Sequence, residues 1–172
     1  MKQVNSIRSI KGFTLIELLV ALTIIVILAV TVYAALNPAQ RLTDSKNARR
    51  VADLSEILTA VHQSVVDNKG TYPTNLPTTE TQLGSGASGC ALTTTASTPG
   101  CTIAATACAD LMADVGQDLI PYLGSMPIDP VGTAGGATAA KTGYSIKRDS
   151  TTGIVTLKAC YTEGGTTISV SR

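Results

Sequence analysis

Few side chains in this 172-residue chain are equipped for chemistry, and their spacing narrows the options further. The four cysteines, Cys90, Cys101, Cys108 and Cys160, form no C-x-x-C pair, and His62 is the single histidine. A zinc site would be expected to show a C-x-x-C pair completed by a second pair or by histidines, and a Ser–His–Asp constellation would need that one imidazole, so no catalytic residue and no metal ligand is assigned. Four cysteines behind an export-type N-terminus read as two disulfides, with three pairings open. The working expectation is Cys90 with Cys101 and Cys108 with Cys160, which closes one small loop and ties the last strands to the middle of the chain. Asp110, Asp114 and Asp118 recur every four residues and read as a solvated face. The stretch from Gly135 to Thr142 approaches a phosphate loop, but Ala140 stands where the glycine before Lys141 is required, so an ATPase role is not expected. That leaves Glu17, a lone carboxylate inside a long apolar run.

The elements that must position these residues begin with that run. Residues 13–36 carry one charge and fifteen Leu, Ile, Val or Phe residues; as a helix they extend roughly 36 Å, enough to cross a bilayer. Their insertion gain is roughly 5 to 9 kcal/mol, more than one carboxylate near an end takes away. A cleavable secretory signal would use Lys2, Arg8 and Lys11 as its basic region, yet its apolar core would run only about 7 to 15 residues. A plain membrane anchor accounts for the length but not for Glu17. Formal net charge is +1 and charged residues make up 15%, so no basic footprint for a nucleic-acid backbone exists. Aromatic residues are 3%, without Trp, which leaves little for base or sugar stacking.

Lys11-Gly12-Phe13-Thr14-Leu15-Ile16-Glu17-Leu18, a short basic leader ending in Gly and followed by Phe, a carboxylate and an apolar run, resembles the class III signal of type IV pilins and pseudopilins. The resemblance implies a leader over residues 1–12, cut between Gly12 and Phe13 by an inner-membrane prepilin peptidase that also methylates the new Phe13 amine. It implies that Glu17 serves assembly by meeting the Phe13 amine of a neighbouring copy, and that an inner-membrane platform and an assembly ATPase act on the chain. Gly12 lets a protease approach the backbone closely. Phe13 and Glu17, four residues apart, share a helix face, and cleavage supplies the cation that a carboxylate in hydrocarbon lacks.

Beyond the membrane the expected extracytoplasmic domain is 37–172. Asn37-Pro38 can cap a renewed helix or kink a continuous one. An amphipathic helix over 38–69 carries the stripe Val51, Leu54, Leu58, Val61 and Val65, with Arg49, Arg50, Asp53, Glu56 and Gln63 mostly off it; Lys69-Gly70 closes it. Residues 71–105, rich in Thr, Ser, Gly and Pro, read as an exposed loop region, and 106–116 as a short helix. Three strands over 143–171 form an antiparallel meander, whose Val155, Leu157, Ala159 and Tyr161 face the stripe. The fold class is α+β, a long N-terminal helix packed on a small antiparallel sheet, pilin-like. Met126-Pro127-Ile128-Asp129-Pro130-Val131-Gly132 with the later Tyr144 is similar to the P-x-D-P-W-G segment of the major type II secretion pseudopilins, with Val131 in place of Trp. Their calcium loop does not carry over, because Asp129, Asp149 and Glu163 are isolated, so no cofactor is assigned. The expected function is a structural subunit of a type IV pilus-like filament, inserted in the bacterial inner membrane as a precursor. A type II secretion pseudopilin is the alternative, and a membrane-tethered binding domain or enzyme the outside one.

Overall fold

The computed structural model describes residues 12–92, 100–113, 119–131 and 136–172. Two compact units are distinguished, one ending at Arg41 and one running from Leu42 to Arg172. In the first, helix α1 spans Leu15–Leu36, and none of its residues is buried. It ends at Asn37, which takes a left-handed conformation with φ 40°, a geometry asparagine tolerates better than most residues. The side chain of Arg41 turns back so that its Nε–H donates to the Leu36 carbonyl at 3.0 Å, satisfying one of the carbonyls that a helix end leaves open. Helix α2, Pro38–Asp67, starts on proline, whose missing N–H costs nothing in a first turn.

The second unit is α+β and pilin-like. Its sheet has four antiparallel strands in the order β1 (Thr81–Gln82), β2 (Tyr144–Arg148), β3 (Val155–Ala159) and β4 (Ser169–Ser171). The expected meander is β2–β3–β4, with Ile146 opposite Leu157 and Leu157 opposite Val170. The fourth strand comes from the segment read as loop. Thr81 pairs with Ile146 and Gln82 with Ser145, and the outer edge of β1 is itself covered, since Gln82 accepts from the Ala109 N–H at 2.8 Å. Two residues are too few to show an alternating pattern, which is why this strand has no signature of its own.

Leu54, Ile57, Leu58 and Val61 of α2 share one core with Tyr144, Ile146, Val155, Leu157 and Ala159. The helix meets this core on a face rotated from the expected stripe. Arg50 and Ser64 are fully buried, Val51 is 46% exposed and Val65 is only half-buried. Tyr161 departs too, packing in a satellite cluster around Cys101, Ile103 and Cys160. No helix forms over the described residues 106–113: the Ala109 backbone bridges to Leu83, and the Asp110 carboxylate accepts from the Met112 N–H at 3.0 Å, a local bond that competes with helix. The rest of that expected helix lies outside the described residues, as do Asp114 and Asp118.

The disulfides are Cys90–Cys108 and Cys101–Cys160, which corrects both expected pairings. Leu92 and Ile103 exchange backbone hydrogen bonds, and the Cys90 N–H donates to the Thr106 carbonyl at 3.0 Å. This antiparallel turn-back sets Cys90 beside the far arm of the loop, where Cys108 is. Cys101 instead lies on the end of β3: a β-carbon at the preceding Gly100 would overlap the Ala159 carbonyl oxygen, so glycine allows the close approach that brings Cys101 to Cys160.

Candidate functional site

Gly12 and Phe13 are the first described residues. A β-carbon on Gly12 would meet no described atom within 4 Å beyond its chain neighbours, and Phe13 is 90% exposed. Thr14 is the N-cap of α1 and forms a capping box with Glu17. The Thr14 N–H and hydroxyl both donate to Glu17 Oε2 at 2.8 Å, and the Glu17 N–H donates back to Thr14 Oγ1 at 3.3 Å. Thr-x-x-Glu is the spacing of a capping box, a signal the reading of the motif passed over, and it gives Glu17 a partner within its own chain. Further along α1, the Thr23 and Thr31 hydroxyls donate to the Val20 and Leu28 carbonyls at 2.8 Å each. The helix therefore covers its own hydroxyls while its apolar side chains stay uncovered. A helix apolar all round with nothing packed on it lacks a stable place in water, and α1 is long and apolar enough to cross a bilayer.

A second polar constellation lies on α2. Arg50, fully buried, donates through Nε and Nη2 to both oxygens of Asp129 at 2.8 Å, and through Nη1 to Asn47 Oδ1 at 2.7 Å. Burial alone would lower its pKa, but the hydrogen bonds to Asp129 and the charges of Asp129 and Glu163 outweigh that, and the guanidinium is held above its ordinary range. Glu163 accepts from Lys46 at 2.9 Å and approaches Arg50 at 3.8 Å; the Lys46 hydrogen bond is the main reason its carboxyl lies below the usual range. One turn on, Tyr144 donates to Asp53 at 2.6 Å. Burial first and Asp53 second push that phenol above its ordinary value. The network clamps residues 46–50 of α2, in its third and fourth turns, to the 126–131 segment and to the turn after β3. Sequence reasoning missed it because Arg50 looked like a solvent-face charge.

The carboxylates considered for calcium are thus otherwise engaged. Asp129 faces Arg50, Glu163 faces Lys46, and Asp149 accepts from the Thr151 and Thr152 N–H groups at 2.8 Å. Among the described residues, no three His, Cys, Asp or Glu side chains stand together as a metal site would need. The phosphate-loop stretch is only partly described. Its Ala140 carbonyl accepts from the Gly86 N–H at 2.9 Å, which makes this part a backbone clasp over residues 84–86.

Residues 7–33 match the family model for the prokaryotic N-terminal methylation motif. No curated protein and no solved structure matches the chain. The chain carries a prepilin-type motif, consistent with the type IV pilin and pseudopilin superfamily, a class of structural subunits. The motif implies processing by prepilin peptidase and assembly with copies of itself, and with the apolar α1 it fits a single-pass inner-membrane precursor.

Proposed function

We propose that this chain is the structural subunit of a type IV pilus-like filament. Cleavage between Gly12 and Phe13 and methylation of Phe13 prepare it, an inner-membrane platform and an assembly ATPase extract it, and α1 stacks in the filament core, where Glu17 meets the Phe13 amine of a neighbouring copy. One observation carries the reading: the methylation motif of residues 7–33 runs through a 22-residue apolar helix of which no residue is buried. Lipid covers such a surface before assembly, and helices of other copies cover it afterwards. The capping box supports a specific division of labour, in which Glu17 Oε2 holds Thr14 while Oε1 is left for the neighbour.

Mass spectrometry of native material should return an N-terminal peptide that begins at Phe13 and carries a methylated amine, and electron microscopy of sheared surface fractions should show fibres of this chain. A mature protein beginning at Met1 overturns the proposal. The second reading, a pseudopilin of type II secretion, draws on the Asp129-Pro130 segment and Tyr144, both built into the α2 clamp. Short fibres confined to the cell envelope, with loss of protein secretion on deletion, would select it.

A further inference from the structure

Most carboxylates of the folded unit have a partner within it. Asp53, Asp67, Glu80, Asp129 and Glu163 each accept a hydrogen bond from a side chain elsewhere in the fold. Glu56, exposed on α2, has no such partner among the described residues. The complementary case is Arg148, at the end of β2. Its guanidinium carbon lies 4.7 Å from the centre of the Tyr72 ring, and it forms no ion pair among the described residues; its Nε is shielded from solvent, so a partner from outside would meet the Nη groups. The platform is fixed, because the Tyr72 hydroxyl donates to the Gly153 carbonyl at 2.9 Å. An arginine resting on an aromatic ring is positioned in advance, and a carboxylate is the group whose two oxygens match the paired guanidinium donors.

From these two unmatched groups we infer that Glu56 of one copy pairs with Arg148 of a neighbouring copy, as a second contact between subunits that does not involve α1. The inference rests on the filament reading above. Within one chain the two do not form an ion pair: β2 begins beside α2 at the Tyr144–Asp53 bond, whereas Arg148, at its other end, sits over Tyr72, beyond the end of α2. Different patches of one surface that match each other generate a head-to-tail contact, and a contact of that kind propagates into a helical polymer. Among the described residues Lys69 and Lys147 also lack a side-chain acceptor, but neither has an aromatic face to orient it.

Charge reversal tests the pair in cells that make fibres from the wild-type chain. Glu56→Arg and Arg148→Glu should each lower sheared-fibre yield at least about tenfold, since both then oppose like charges at the contact, while both disulfides and the membrane-bound precursor persist. The chain with both reversals should recover most of the yield. Normal fibres from either single variant, or no recovery in the double variant while its disulfides are intact, overturns the inference. If a reversal prevents folding, Glu56→Cys with Arg148→Cys replaces it: a ladder of disulfide-linked multimers in the paired variant alone supports the contact, and its absence in otherwise normal fibres refutes it. Failure of the wild-type chain to make fibres would instead remove the filament reading itself.

Discussion

Arg50 and Asp129 are both withdrawn from solvent and bound to each other through two hydrogen bonds. Such a pair does not by itself argue for high stability, because taking two charges out of water offsets much of their attraction; removing one partner, however, strands the other. Asp129→Ala should therefore cost about 3 to 5 kcal/mol, measured by thermal unfolding of the detergent-solubilised chain, and the paired change Arg50→Met with Asp129→Leu should recover a large part of it. Glu17 has two roles that substitutions separate. Thr14→Ala should weaken the start of α1 by about 1 kcal/mol through loss of the cap and leave membrane insertion unchanged. Glu17→Val should leave insertion intact or better while filament yield collapses; normal fibres from that variant would show that its carboxylate serves only as a cap.

At the scale of elements, α2 is held at two places by different physics. Its second half is buried against the sheet by Leu54, Ile57 and Val61, and the turns just before that are gripped by Lys46, Asn47 and Arg50 reaching Asp129 and Glu163. The second grip depends on pH. Glu163 has its carboxyl depressed, chiefly by Lys46, and Asp149, in the turn between β2 and β3, is depressed by the Thr152 and Thr151 N–H groups. A depressed carboxyl contributes stability that is complete above its unfolded pKa, about 4.3 for Glu and 3.9 for Asp. That contribution is lost as pH falls through the lower folded value. Unfolding temperature should thus drop as pH is lowered from about 5 toward 3, and Glu163→Gln should flatten part of that slope while lowering stability at neutral pH. An unchanged slope in that variant would remove Glu163 from the account.

For the whole molecule, the disulfides decide how the middle of the chain is attached. Cys101–Cys160 spans 59 residues and lies in the satellite cluster that holds Ile103, Leu92 and Tyr161 to the end of β3. By loop-closure entropy its removal should cost about 4 kcal/mol, against about 3 for the 18-residue Cys90–Cys108 link. Cys101→Ser with Cys160→Ser should lower the unfolding temperature more than the other pair of substitutions, and peptide mapping without reductant should recover only these two linkages. The sequence alone determined whatever depends on neighbours close along the chain. The apolar run of residues 13–36, the methylation motif over residues 7–33, the helix stop at Lys69-Gly70 and the three strands after residue 143 all declare themselves through composition, spacing and turn residues. Tertiary structure decided what depends on distant partners: that Arg50 turns inward because Asp129 waits there, that Thr81–Gln82 becomes a strand because β2 offers an open edge, and that each cysteine finds the sulfur its backbone is folded beside. A short-range pattern cannot encode these outcomes, since the free energy that selects them comes from contacts made only after the chain has closed on itself.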